Sequence, residues 1–423
     1  MKTSLTIIIS ALALTACAAK APLSQQVVRS EMARCPEASF IDGLNGKLKW
    51  NYTTGLELKA MLDCAQHSLT IPLHPQGTEG RSPQTPPVAD APYRSSNAGE
   101  EFERILSYVD AWYDAIIAED GTIGVNYKKS NYSTDHICPG NTLFKLYALT
   151  GKEKYRKAMD TLYGQVKEQP RTPEGGFWHK KIYPDQMWLD GLYMAQPFYA
   201  EYASRYLSGD EQKAAFADIA HQFNLVAGHT YDPGTGLYRH AWDSSHEMFW
   251  CDKTTGQSKH AWGRALGWYA MALVDVLPLL PEDTPGRDSM LVTLHHIADT
   301  LPHYTDSESG MWYQVLDCPG REGNYVEATC SAMFTYAMLK ACRHGWLDCM
   351  DYAKKCYTQL LDCFVTTDAD GLVNLNRCCE VAGLGGKENR SGDYDYYINE
   401  RVRANDPKGI GPLIWAALEY ERL

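Results

Sequence analysis

An acidic side chain lies in one of the most apolar stretches of this sequence. Asp190 stands in "MWLDGLYMAQPFY" among methionine, tryptophan, leucine and tyrosine residues, and Gly191 follows it directly. A carboxylate in such surroundings is costly unless a partner or a proton neutralises it. On a helix, the glycine would leave open space beside the carboxyl group, as an approaching ligand requires. Asp190 is therefore either a structural residue, capping a helix or paired with an arginine, or a residue kept for proton transfer.

A second acid, Asp135, lies in "STDHICPGN", in the loop that leads into a helix predicted after Pro139 and Gly140. Taken alone, this residue is interpreted as a turn or helix-capping aspartate. If both acids open into one pocket, each alters the pKa of the other. Such a pair supports general acid–base chemistry on a sugar.

Cationic and aromatic side chains accompany these acids in three segments. "EGGFWHKK", "GLYRHAW" and "HAWGRALGW" supply Trp178, His179, Lys180, His240, Trp262, Arg264 and Trp268. Arg264 and Trp268 are four residues apart and share one helix face, which would set an anion-binding group beside a ring platform. Lys180 would meet a substrate carboxylate. The alternative is that the tryptophans belong to the core and Lys180 is a solvated surface charge.

Composition narrows the function classes. The formal net charge of −12 over 423 residues disfavours nucleic acid and anionic membrane surfaces as partners, so an anionic ligand needs a local basic pocket. The 27 tyrosine and 11 tryptophan residues suit a sugar-binding surface as well as a large helical core. No GxSxG, Walker A, HExxH or dinucleotide motif occurs, and the Asp and His residues show no metal-ligand spacing. We therefore expect neither a metal nor an organic cofactor.

Hydrophobic periodicity predicts the elements that position these residues. Apolar residues recur near every 3.6 positions in about eleven stretches, one of them the helix predicted over 184–207 that carries Asp190. Alternation long enough for a sheet is nearly absent. The fold class is therefore all-α, a toroid of helical hairpins in which loops at one end converge on a central pocket. Residues 46–423 are predicted as this domain, with 18–45 as an N-terminal extension and the Pro/Gly/Ser-rich residues 67–99 as an insertion.

The N-terminus indicates a targeting segment. Lys2 precedes an apolar stretch from Leu5 to Leu14 that is too short to span a bilayer, and the segment ends in "LTAC", similar to a bacterial lipobox. Residues 1–17 would then be a lipoprotein signal, with Cys17 lipidated and the protein held in the bacterial cell envelope by that lipid alone. An ordinary cleaved signal peptide, giving a periplasmic or secreted protein, is the alternative. The other twelve cysteines are expected as free thiols in the core.

Longer motifs resemble a known family. "KWNYTTGLELKAML", "DHICPGNTLFKLYALTG", "RTPEGGFWHKKIYPDQMWLDGLYMAQPFYAEYA" and "HAWGRALGWYAMALVDVLP" are similar to the unsaturated rhamnogalacturonyl hydrolases, glycoside hydrolase family 105. They resemble the unsaturated glucuronyl hydrolases of family 88 more loosely. The resemblance runs from about Trp50 to the C-terminus and implies an (α/α)6 barrel. It also implies hydrolysis of a Δ4,5-unsaturated galacturonyl residue at the non-reducing end of lyase products, such as the unsaturated rhamnogalacturonan disaccharide.

Residue roles follow from the same resemblance. Asp190 would be the general acid–base that protonates C4 and helps water add at C5, after which a hemiketal opens and releases the aglycone. Asp135 matches the second acid of the family, and the substrate-contacting positions match His179, Lys180, His240, Trp262, Arg264 and Trp268. A partly desolvated Asp190 would have a raised pKa and so hold the proton that it delivers. We expect a monomer that binds an acidic oligosaccharide.

Three other functions fit the same residues. A conventional glycosidase would use Asp135 and Asp190 on a saturated sugar, a polysaccharide lyase would use Tyr238 or His240 as its base, and a glycan-binding lipoprotein would catalyse nothing. The ultraviolet absorbance of an unsaturated uronate separates these functions, because hydration destroys it and a lyase creates it.

Overall fold

The structure, a computed structural model, describes residues 21–69 and 96–423. Helices dominate this part of the chain: α1 (Leu23–Arg34), α2 (Tyr52–Ser68), α3 (Ser96–Ile116), α4 (Gly140–Thr150), α5 (Glu153–Glu168), α6 (Leu189–Tyr206), α7 (Gly209–Thr230), α8 (Gly263–Val276), α9 (Arg287–Thr300), α10 (Ala328–Arg343), α11 (Met350–Phe364), α12 (Tyr394–Asn399) and α13 (Pro407–Glu421). Three short antiparallel ribbons accompany them, made by β1 (Gln186–Trp188) with β2 (Ala241–Asp243), β3 (Val365–Thr367) with β4 (Val373–Leu375), and β5 (Cys378–Cys379) with β6 (Val402–Arg403).

Twelve of these helices form two concentric rings. In the inner ring, α2, α4, α6, α8, α10 and α13 each pack on the next, and α13 packs on α2 to close the circle. The outer ring consists of α3, α5, α7, α9, α11 and α1, each packed on an inner helix. Inner helices such as α8 are buried on nearly every side, which explains why they are apolar all round, whereas outer helices such as α5 keep a polar face. The predicted all-α toroid and (α/α)6 barrel are confirmed.

Within the predicted N-terminal extension 18–45, the described residues include helix α1, which packs on the barrel. Helix α1 packs against α13, and its Val27 and Val28 are fully buried. The backbone N–H and the hydroxyl of Ser24 donate hydrogen bonds to the carboxylate of Glu421 at 3.0 and 2.6 Å. The first helix therefore supplies the outer partner that the last inner helix needs for a sixth hairpin.

The predicted insertion 67–99 overlaps a helix at each of its edges. Helix α2 continues through Ser68 and α3 begins at Ser96, so both ends of the predicted range lie within helices. Residues 70–95, and the signal segment with Cys17, lie outside the described residues. Within the described ranges, every helix is too short or too polar to cross a bilayer.

Helix α6 begins at Leu189 and not near residue 184, where its apolar pattern starts. The preceding residues form β1, in which Met187 pairs with Trp242 of β2. Asp190 is therefore the second residue of the helix. Because the N-terminal turn carries the unpaired N–H groups and the positive end of the helix dipole, this position favours a charged carboxylate.

Candidate active site

The N-terminal ends of the inner helices meet at one end of the barrel and carry the candidate residues. Tyr52 is the first residue of α2, Asp190 is the second residue of α6, and Arg264 is the second residue of α8. Asp135 lies in the 3-10 turn Thr134–His136 that leads into α4. The charges of Asp135, Asp190 and Arg264 all act on Tyr52, and the charge of Arg264 also acts on Asp190. These residues are distant in sequence but form one electrostatic cluster.

Asp190 lies against His240. The Oδ2 atom of Asp190 is 3.1 Å from Nε2 of His240, although the two groups are not aligned for a good hydrogen bond. On its other side the fully buried His240 ring has the Tyr397 hydroxyl 2.7 Å from Nδ1. With that hydroxyl donating, the ring proton lies on Nε2, toward Asp190. One carboxylate oxygen of Asp190 thus remains free to bind a ligand.

The pKa of Asp190 is lowered and not raised, which corrects the expectation from sequence. Burial opposes ionisation, but the charges of His240, His179 and Arg264 outweigh burial and hold the pKa of Asp190 below its ordinary value. Asp190 is therefore a carboxylate at neutral pH in the ligand-free protein. To act as an acid it must gain a proton when a ligand changes these surroundings.

Asp135 is paired with Lys180. The Nζ atom of Lys180 is 2.5 Å from Oδ2 of Asp135, and Nε2 of His179 is 3.6 Å from Oδ1. Burial opposes ionisation of Asp135, but Lys180 and His179 outweigh it and lower its pKa. Burial and the neighbouring Lys180 lower the pKa of His179 to about 4, so the imidazole is neutral at neutral pH. Lys180, expected to meet a substrate carboxylate, already has a carboxylate partner in the protein.

His179 is held from three sides. Its ring stacks on Trp188 with ring centroids 4.5 Å apart, and the Thr134 hydroxyl lies 3.1 Å from its Nδ1. On the third side is Gly191, where a Cβ atom would be 3.2 Å from Nδ1 of His179. Gly191 therefore makes room for the imidazole, and the expectation that it leaves open space for a ligand is wrong.

Arg264 is a buried cation without a carboxylate partner. Its side chain is 1% exposed, its Nη1 donates to the carbonyl oxygen of Cys379, and its guanidinium carbon lies 4.6 Å from the ring centroid of Trp262. Its Nε has no acceptor, and no Asp or Glu among the described residues forms an ion pair with it. The charge nevertheless acts on Asp190 and Tyr52. Asp406 and Glu327 raise the pKa of Arg264 from beyond ion-pair distance, so the buried guanidinium still has room for a direct anionic partner.

The tryptophans predicted to contact a sugar mostly pack against other side chains of the site. Trp262 and Trp268 are each 1% exposed. Trp262 lies 4.8 Å from the His240 ring, and Trp268 packs edge-on against Tyr52 at 6.3 Å. Trp178 is half-buried, and the ring contacts found around His179 in the described ranges do not include it. Trp262 and Trp268 therefore support the polar groups of the site and offer little ring face to a sugar.

Tyr238, considered above as a lyase base, lies outside the cluster. Its ring packs against Tyr231, Tyr269 and His296, and burial raises its pKa to about 12. A tyrosine in this environment neither touches the candidate site nor gives up its proton readily. Of the two predicted lyase bases, only His240 adjoins Asp190.

Sequence reasoning missed three residues of the site. Tyr52 has its pKa raised by burial and by the negative charges of Asp135 and Asp190. Trp188 supports His179, and Tyr397 orients His240. Tyr52 stands in one of the motifs that carry the family resemblance, and the tyrosine-rich "DYDYYI" around Tyr397 is a weaker signal. Neither pattern indicates which distant residue the ring would meet.

A cleft opens beside Asp135 and Lys180. Its volume is about 480 Å³, and its walls include Lys49, Tyr52 and Glu380. Binding sites for small molecules typically enclose about 300–1,000 Å³. The cleft is therefore large enough for a short oligosaccharide, and it reaches the cluster through Asp135 and Tyr52, whereas its walls do not include Asp190 or Arg264.

Comparisons with known proteins agree with this architecture. Residues 98–423 match the family described as Glycosyl Hydrolase Family 88. A family 105 glycoside hydrolase from C. acetobutylicum ATCC 824 is 38% identical with a TM-score of 0.82, over 95% of this chain and 100% of that one. Unsaturated rhamnogalacturonyl hydrolase YesR of Bacillus subtilis (strain 168) is 29% identical over 247 residues, which are 57% of this chain and 65% of that protein. The unsaturated glucuronyl hydrolase from Bacillus sp. GL1 has the same fold, with a TM-score of 0.60 at 14% identity, over 94% of this chain and 95% of that one.

Proposed function

Because the chain belongs to glycosyl hydrolase family 88, and with it to the family 105 glycoside hydrolases, we propose that it removes a Δ4,5-unsaturated galacturonyl residue from lyase-generated oligosaccharides such as the unsaturated rhamnogalacturonan disaccharide. Family membership makes the protein an unsaturated glycosyl hydrolase that acts on unsaturated uronic acid glycosides. The choice of a galacturonyl residue joined to rhamnose is the proposal, and the similarity to the B. subtilis enzyme supports it.

Arg264 is the observation that carries the proposal. Asp406 and Glu327 stabilise the Arg264 charge only from beyond ion-pair distance and raise its pKa, and the carboxylate of an unsaturated uronic acid would provide a direct partner. Because the charge of Arg264 also reaches Asp190, a carboxylate bound there would set the C4=C5 bond next to the acid. A neutral saturated sugar would leave this cation unpaired.

The proposed reaction is hydration of the C4=C5 enol ether. Asp190 transfers a proton to C4, positive charge develops at C5, and a water molecule attacks C5 while its second proton passes to the Asp190 carboxylate. The resulting C5 hemiketal opens by breaking the C5–O5 bond, giving a ketone at C5. The remaining C1 hemiacetal then releases the aglycone as an alcohol. Asp190 ends the cycle protonated, as it began the chemical step.

Substrate binding supplies the proton state that Asp190 needs. In the free protein Arg264 helps to hold its pKa below the ordinary value. A uronate carboxylate at Arg264 offsets that positive charge and displaces water, and both changes raise the pKa of Asp190. Asp135 keeps Lys180 as its partner, so the second acid is a fixed, neutralised carboxylate and not the nucleophile of a conventional glycosidase.

The decisive experiment is Asp190→Asn, assayed by loss of the ultraviolet absorbance of unsaturated rhamnogalacturonan disaccharide. We expect at least a ~100-fold loss of kcat, because an amide cannot donate the proton. Asp210→Asn is a matched control: Asp210 is also the second residue of its helix, α7, but it is exposed. Parental turnover by Asp190→Asn would refute the role of Asp190, and an absorbance that never falls with the parent protein would refute the proposed substrate.

We also propose that Cys17 carries a lipid that anchors the enzyme as a monomer in the cell envelope. The "LTAC" sequence after the apolar segment supports this. Replacement of Cys17 by alanine should shift the protein from the membrane fraction to the soluble fraction, and unchanged membrane association would contradict the anchor.

A further inference from the structure

Two cysteine side chains meet at the turn between α10 and α11. The Sγ atoms of Cys342 and Cys349 are 3.3 Å apart, closer than two unbonded sulfur atoms in ordinary contact. Cys342 is the next-to-last residue of α10, and Cys349 directly precedes α11. Gly345 in the connecting turn has a positive φ of 73°, a conformation that reverses the chain and brings the two ends together.

The surroundings of the pair differ from those of the core thiols. Cys342 and Cys349 are half-buried and so reachable from solvent, whereas Cys356 and Cys378 are buried. A shared metal ion would need further ligands. In the described ranges, the one group of three metal-ligating side chains, around His260 and Cys318, lies elsewhere in the chain. The contact of two accessible sulfur atoms therefore has covalent pairing as its natural chemistry.

We propose that Cys342 and Cys349 are a modification site at which a disulfide forms and closes the α10–α11 hairpin. The co-reactant is a disulfide, either a small-molecule disulfide or the disulfide of a protein oxidant. The Cys342 thiolate attacks one sulfur of that disulfide and expels the other as a thiolate. Cys349 then attacks the Cys342 sulfur of the mixed disulfide and expels the second thiolate. The two cysteines lose two electrons and two protons, and the oxidant is reduced to two thiols.

The electrostatics of the pair set the order of these steps. Hydrogen bonds from the Cys349 side chain and backbone outweigh burial and lower the pKa of Cys342 to about 7, while the same contact and burial raise the pKa of Cys349. Cys342 is thus the thiolate that attacks first at neutral pH, because the thiolate and not the thiol is the nucleophile. Cys349 is held in place to complete the exchange.

From the position of the pair, we expect a disulfide there to change the stability of the protein and not its activity. Inner helices have their N-terminal ends at the candidate active site, so the C-terminal end of α10 lies at the opposite end of the barrel. A bond there restricts the unfolded chain and fixes the hairpin turn. We expect it to raise the thermal midpoint of unfolding by roughly a few degrees and to leave kcat/KM unchanged.

The test compares the purified full-length protein after incubation with oxidised glutathione or with dithiothreitol. Free thiols are alkylated under denaturing conditions, and peptides are analysed by mass. We expect a linked peptide joining Cys342 to Cys349, lighter by two hydrogen atoms, only in the oxidised sample. Cys342→Ser and Cys349→Ser should each abolish it. Cys363 is a half-buried cysteine in α11, the helix that follows the turn, and Cys363→Ser should leave the linked peptide unchanged.

Two results would overturn the proposal. One is complete alkylation of both cysteines after the glutathione treatment, and the other is a linkage of Cys342 to a different cysteine. The peptide map of the parent protein decides between these outcomes even if a serine variant fails to fold. A second readout is the rate of iodoacetamide labelling at neutral pH, in which Cys342 should react faster than Cys363.

Discussion

Replacing Arg264 by methionine tests whether the buried cation binds the substrate carboxylate. The side chain is 1% exposed, so water cannot take its place when it is removed. Losing one partner of a buried, hydrogen-bonded charge pair costs about 2–5 kcal/mol. Since about 1.4 kcal/mol is a factor of ten, kcat/KM should fall roughly 30- to 4,000-fold.

The stability of the same variant should change much less than its activity. Methionine loses the hydrogen bond to the Cys379 carbonyl and the contact with the Trp262 ring, worth about 1–3 kcal/mol each. It also removes a buried charge, whose desolvation costs several kcal/mol, together with the attraction of that charge to Asp406 and Glu327. The two effects oppose each other, so the free energy of unfolding should stay within about 2 kcal/mol of the parent value.

The assay is the initial rate of absorbance loss over a range of disaccharide concentrations, which separates kcat from KM. Arg264→Lys keeps the charge but not the two-pronged geometry, so it should recover part of the loss. Arg205→Met, a change at an exposed arginine of α6, controls for the loss of positive charge alone. A folded Arg264→Met protein with kcat/KM within about threefold of the parent value would refute the assignment.

Two further predictions follow from the same cluster. Asp190 must be protonated to act, and its pKa in the free enzyme lies below the ordinary value. We therefore expect kcat/KM to fall about tenfold per pH unit from about pH 5 upward. The value of kcat should stay level to higher pH, because bound substrate raises the pKa of Asp190. Gly191→Ala should lower kcat/KM several-fold, because its Cβ would lie 3.2 Å from Nδ1 of His179 and displace that ring. The thermal midpoint of unfolding should change little, since the preference of alanine for a helix, about 1 kcal/mol, opposes the crowding of the ring.

Both predictions have a clear contrary outcome. A pH-independent kcat/KM between about pH 5 and about pH 7, where His179 with its pKa of about 4 stays neutral, would mean that the proton does not come from Asp190. For the glycine, Gly228→Ala on α7 is a matched control, since a Cβ there meets nothing within 4 Å. If Gly191→Ala keeps the activity of Gly228→Ala, the position of His179 does not matter for turnover.

The sequence predicted the barrel well because helical periodicity is a local signal. The stretches with helical periodicity correspond to helices of the structure, and the differences lie at helix ends where a tertiary contact decides the boundary. Residues 186–188 carry an apolar pattern compatible with α6 but pair with β2 instead. Local periodicity does not place helix α1 in the barrel, because its role depends on contacts with α13 at the far end of the chain.

The sequence indicates which residues of the candidate site lie together better than it indicates how their charges interact. Asp190, His240 and Arg264 do come together, and so do Asp135, His179 and Lys180. What could not be predicted is which charges face each other. An apolar neighbourhood in sequence indicated a raised pKa for Asp190, whereas His240, about fifty residues later, reverses the direction. The pairing of Lys180 with Asp135 likewise depends on the fold and not on spacing.

The hydrogen bonds between Ser24 and Glu421 join residues 397 positions apart and have a consequence for how the chain folds. Contacts so remote in sequence form late, since a very long loop must close before they contribute. The barrel cannot become circular until the final helix has left the ribosome, and until then the apolar sides of α2 and α10 lack their neighbour. Newly made chains should therefore depend on chaperones for longer than the chains of a protein whose contacts are mostly between residues close in sequence.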